Sequence, residues 1–73
     1  MDYEKHFREK DIPTAEKEVN CIKELLKSVD SHVDSGDIAQ AKNRDEDLKK
    51  SLENLVTLNE LKLEEDRYKA LTR

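Results

Sequence analysis

The chain has 73 residues, a single cysteine and a formal net charge of −4, with charged residues at 44% and apolar residues at 34%. That length allows one small domain, and the lone Cys21 excludes an internal disulfide as its brace. The two signs of charge are interleaved without a basic block, which argues against direct nucleic-acid binding, and no apolar run approaches the roughly 18 residues of a membrane span.

A chain this polar folds only if its apolar residues are ordered along it. Ala, Glu, Lys, Leu and Arg supply roughly half of the sequence, the composition of long helices and coiled coils. An all-α fold is expected, punctuated by one proline, Pro13, and one glycine, Gly36.

Residues 2–11 are compatible with a short helix, because Tyr3 and Phe7, and likewise Glu4 and Arg8, stand four apart. Their phase does not join that of the next segment. A kink at Pro13 would reconcile the two.

Residues 13–34 carry the clearest pattern. Ile12, Ala15, Val19, Ile22, Leu26, Val29 and Val33 follow one another in alternating steps of three and four, an unbroken heptad seam widened by Leu25. Pro13 suits the first turn of such a helix, and Asp11 and Thr14 offer oxygens for capping. Residues 35–37 read as a turn in which Gly36 takes the left-handed position after the helix end. A turn this short forces the flanking helices antiparallel.

Residues 38–72 then read as one long helix. Ile38, Ala41, Leu48, Leu52, Leu55 and Leu63 share a face with Val56 at its edge, diluted by Asp45, Asn59 and Asp66. Asp45–Lys49, Glu46–Lys50 and Glu65–Lys69 are spaced to support the helix as ion pairs. The architecture implied is an antiparallel helical hairpin, kinked at Pro13, or a small three-helix bundle, with coiled-coil-like packing. Its expected core is Val19, Ile22, Leu26, Val29, Leu48, Leu52 and Leu55. In the hairpin register residue 36−n faces 36+n, which sets Phe7 beside Glu65 and Tyr3 beside Lys69. The pattern runs to Arg73 without a stop signal, so the chain reads as a segment of a larger protein.

Leu58, Leu61, Tyr68 and Leu71 fall on the opposite side of the last helix from Leu48 when each residue is turned by about 100°. Two readings stand. The N-terminal segment covers this second stripe by packing Tyr3 and Phe7 on Leu61, Tyr68 or Leu71, or the stripe is a partner-binding surface.

The remaining chemistry is sparse. No residues converge as catalysis requires. Cys21 lies at the edge of the seam with no histidine near it on the helix, which suits a half-buried structural thiol. His6 and His32 are too far apart for a shared metal site. Asp30, Asp34 and Asp37 surround Gly36 without the spacing of a calcium loop, where Lys42 would stand at the twelfth position in place of glutamate. No catalytic, cofactor or metal site is therefore assigned. Asn59 has the character of a register-setting polar residue on a seam, and Arg44 is available to pair with an acid across the hairpin.

The stretch from Gly36 to Asp45, followed by Leu48, is similar to a UVR motif, a helical hairpin used for protein contacts in nucleotide-excision-repair subunits and some chaperone adaptors. Ile38, Ala41 and Leu48 match its apolar spacing, while Arg44-Asp45 stands one residue out of phase. The likeness implies an accessory contact role in nucleic-acid-processing machinery and transfers no residue role. From the residues themselves the leading expectation is a soluble, intracellular, non-catalytic module that binds another protein through its helical faces. The competing expectation is a structural coiled-coil domain that associates with a second copy of itself.

Overall fold

The computed structural model describes residues 1–71. It is all-helical among those residues: α1 (Tyr3–His6), a 3₁₀ turn (Glu9–Asp11), α2 (Ile12–Asp34) and α3 (Ile38–Leu71). Residue 72, assigned to the long helix from the sequence, lies outside the described residues. The molecule is a rod of 56 × 16 × 14 Å, which the length of α3 sets almost alone.

The α2–α3 turn follows from Gly36. Its φ is +77°, a conformation that costs an L residue energy and glycine almost none. The Asp37 N–H donates to the His32 carbonyl at 2.8 Å and the Gly36 N–H to the Val33 carbonyl at 3.0 Å, the paired bonds of a Schellman motif. The apolar contact that often closes this motif is replaced here by His32 and Asp37, whose side chains stand 3.6 Å apart. The Ala41 N–H then donates to the Asp37 carbonyl and starts α3.

The hairpin register is the expected one. Ser51 Oγ donates to Cys21 Sγ at 3.7 Å and Asn54 Nδ2 to Glu18 Oε1 at 3.3 Å; both pairs are symmetric about Gly36. The core differs from expectation. Small residues are the most buried of the two long helices: Ala15 is completely buried, and Ala41 and Ser51 are nearly so. Bulky side chains flank them, and none is fully buried among the described residues. Val19, Ile22, Val29, Leu48 and Leu55 of the expected core are half-buried. Leu26 and Leu52 are not core: they are 52% and 46% exposed. Their neighbours Leu25 and Ser51 turn inward instead. A step of three residues falls about 60° short of a full turn. The three-residue steps Ile22–Leu25–Ser28 and Leu48–Ser51 therefore carry the contact line around each helix and away from a strict heptad row.

The N-terminal segment also departs from expectation. Only Tyr3–His6 is helical; Phe7 and Arg8 are extended. A helix running on into α2 would drive the Pro13 ring against the carbonyl of Glu9. The chain takes the 3₁₀ turn there instead, and Arg8 pairs with Asp11 at 2.7 Å. Asp11 occupies the N-cap of α2 but makes no capping hydrogen bond. The break turns Phe7 into the open end of the hairpin, where it is only 4% exposed.

A candidate interaction surface

Residues 1–11 form an arm folded back over one side of the hairpin. Phe7 lines a cleft at the open end together with Ile12, Lys62 and Glu65, so its expected nearness to Glu65 is met. On its other side Phe7, with Met1 and His6, faces Leu52, Leu55, Val56 and Asn59 across an open hollow of about 340 Å³. Asn59 fixes the arm: its Nδ2 donates to the His6 carbonyl at 2.9 Å. The polar residue singled out as a register device on the seam thus binds the backbone of the arm. Tyr3 packs against Phe7 with the rings tilted at 35° and their centroids 6.0 Å apart.

The two sides of the hairpin differ in chemistry. In an antiparallel pair, one residue further along either chain rotates to the same side of the contact. Glu18, Cys21, Ser51 and Asn54 line one side and exchange the two hydrogen bonds given above. One step on from Leu25 and Ser51, Leu26 and Leu52 open to the other side, the side of the arm. Val33 stands seven residues beyond Leu26, and Ile38 fourteen before Leu52, so each falls near the row of its partner. The result is an apolar strip of Leu26, Val33, Ile38, Leu52 and Val56, each exposed by about half or more. The arm covers only its end near Leu52–Asn59. Asp45 interrupts the strip, and its charge is paired with Lys49 at 3.4 Å.

The stripe picked out on the last helix divides. Leu58 and Leu61 are half-buried. Leu58 lies in the run Leu48, Ser51, Leu55, Leu58, Lys62 and Glu65, all turned at least partly inward. A fixed rotation of 100° per residue misplaces Leu58, because the contact line itself migrates along a coiled pair. Tyr68 and Leu71 are 69% and 79% exposed. The arm does not cover them: Phe7 packs against Ile12 and the Leu52–Asn59 side.

Other sequence candidates resolve individually. Cys21 is exposed rather than half-buried. Arg44 pairs with Asp47 within α3, at 3.6 Å, and not across the hairpin. Asp66 pairs with Lys62 at 3.0 Å. The expected Glu65–Lys69 pair forms at 2.9 Å. A hydrogen bond from the Lys69 ammonium, reinforced by its charge, holds the Glu65 carboxyl below its ordinary value of 4.5; the same pairing raises Lys69 above 10.5. His6 sits at the arm and His32 at the turn. Among the described residues no group of three or more His, Cys, Asp and Glu side chains is placed to hold a metal ion. No helix among them is long and apolar enough to cross a membrane.

Fold and surface together define a class: a short-armed helical hairpin with one polar side and one apolar side. No protein-family model, curated protein or solved structure matches the chain, so the functional reading rests on this geometry.

Proposed function

We propose that the chain is a non-catalytic protein–protein interaction module whose principal contact surface is the arm side of the hairpin. One observation carries the reading: Leu26, Val33, Ile38, Leu52 and Val56 gather on one side, while the opposite side carries the polar contacts Ser51–Cys21 and Asn54–Glu18. Single exposed apolar residues need no explanation, but five of them gathered on one side of a small hairpin support a site of association there. Tyr68 and Leu71 supply a second, smaller apolar patch at the end of α3, the surviving part of the stripe read from the sequence.

Photo-crosslinking in the cells that produce the chain tests this. A photoreactive amino acid at position 26 or 38 should yield discrete protein adducts, and one at Glu24 should not. Adducts from positions 68 and 71 alone would move the function to the end patch. No adduct from any of these positions would overturn the reading.

A further inference from the structure

The arm is anchored at one point. Of residues 1–8 Phe7 alone is buried, Tyr3 and Arg8 are half-buried, and the rest are exposed. The ion pairs Asp2–Lys5 and Arg8–Asp11 close within residues 2–11 and do not tie the arm to α3. The tie across is the Asn59 amide on the His6 carbonyl. The fit is also incomplete. The open hollow of about 340 Å³ beside Phe7 is walled on the hairpin side by Leu52, Leu55 and Val56, and on the arm side the exposed His6 stands at it. A segment with one buried anchor, an exposed helical turn and unfilled space beneath it belongs to the part of a structure that opens without global unfolding. We propose that the arm is a displaceable strap over a peptide groove. In its place the groove takes a short helical segment of another protein that carries an aromatic anchor and, just before it, a bulky apolar residue.

The seated arm defines the chemistry of this occupant. An aromatic ring fits the open end beside Ile12, and Asn59 receives the backbone carbonyl of the residue before it. What the arm does not supply is an apolar side chain for the hollow, because histidine stands at position 6. A segment with leucine or methionine at that position gains burial against Leu52, Leu55 and Val56 that the arm forgoes. The arm of a second copy has no such advantage. It offers the same sequence and the same incomplete fit, and it competes with a tethered arm whose effective concentration is roughly millimolar. Displacement uncovers Ile12 and Leu55, which are half-buried, and joins them to the exposed Leu52 and Val56. The strap thus sets how much of the arm side is open, an inference that rests on the reading of that side as the contact surface.

NMR on the full chain, titrated with an unlabelled peptide of residues 1–8 carrying His6→Leu, tests the proposal. The peptide should shift the methyls of Ile12, Leu52, Leu55 and Val56. In the wild-type chain it should also move the amide resonances of residues 3–7 towards random-coil positions, a sign of displacement that depends on no variant folding. It should bind the Phe7→Ala chain about tenfold or more tightly than wild type, because that arm no longer competes. The peptide with its native histidine should bind more weakly. Methyl shifts with the arm resonances unmoved, equal binding to both chains, equal binding of the two peptides, or no binding at all would each overturn the inference. Light scattering covers exchange of arms between copies: a wild-type dimer that Phe7→Ala disperses would also overturn it. None of these outcomes involves positions 26 and 38, where crosslinking decides the broader reading by itself.

Discussion

Replacing Gly36 by alanine isolates the backbone term that makes the hairpin. The residue has a φ of +77°, and a Cβ built there meets no atom within 4 Å, so no steric clash contributes. What remains is the left-handed conformation, which costs an L residue about 1–2 kcal/mol. Alanine also restricts the unfolded chain, which offsets about 0.4–1 kcal/mol of that cost. The net loss expected for Gly36→Ala is then about 1 kcal/mol, a fall in Tm of about 4–8 °C for a domain of this size. Gly36→Asn should lose less, because asparagine tolerates the left-handed region. Thermal melting followed at 222 nm on wild type and both variants, at one fixed protein concentration, measures the difference. A Gly36→Ala chain that melts at or above wild type would refute the Schellman turn as the determinant of the hairpin.

Three further outcomes follow from the packing. Burying a phenylalanine side chain contributes roughly 1.5–3 kcal/mol, so Phe7→Ala should release the arm: hydrogen exchange in residues 3–11 rises while α2 and α3 keep their protection. Ala15 has no exposed surface, and Ala15→Leu should cost about 1–3 kcal/mol by forcing the helices apart, read as a lower denaturant midpoint with unchanged slope. The Glu65–Lys69 pair should help the folded state at neutral pH. Glu65 is held below 4.5, so its contribution is present above that pH and disappears as the pH falls through the lowered value. The Lys69 contribution is present below 10.5 and disappears as the pH rises through the raised value. Glu65→Gln should therefore melt below wild type at pH 7 and together with it in strong acid, and a gap that persisted in acid would contradict the assignment.

Much of the fold is legible in the sequence because the signals are local. Pro13 in the first turn of α2, Gly36 after its end, and the three–four spacing between them fix two helices, a turn and a register. The inner and outer residues are less legible. A heptad reading hands the seam to the bulkiest side chains, but the most buried residues of the two helices are Ala15, Ala41 and Ser51, while Leu26 and Leu52 lie on the flank. Small residues carry little weight in a hydrophobic pattern, so a heptad reading places Leu26 and Leu52 in the core. The arm was hidden for a different reason. Tyr3, Glu4, Phe7 and Arg8 have helical spacing, and only the steric demand of Pro13 on Glu9, together with the space for Phe7 at the open end, ends α1 after one turn. Of the stripe read from the last helix, Leu58 and Leu61 are drawn inward by the migrating contact line, and Tyr68 and Leu71 stay outside.

The central claim is that the free chain holds an apolar strip open to solvent on the arm side. Paramagnetic broadening of methyl resonances by a soluble gadolinium chelate, on dilute protein, tests it most directly. The account predicts strong broadening at Leu26, Val33, Ile38 and Leu52, approaching that of Leu71, and distinctly weaker broadening at Ile22, Leu25, Leu48 and Leu55. Leu26 and Leu52 methyls as protected as those of Leu25 and Leu48 would contradict it, because the strip would then be core.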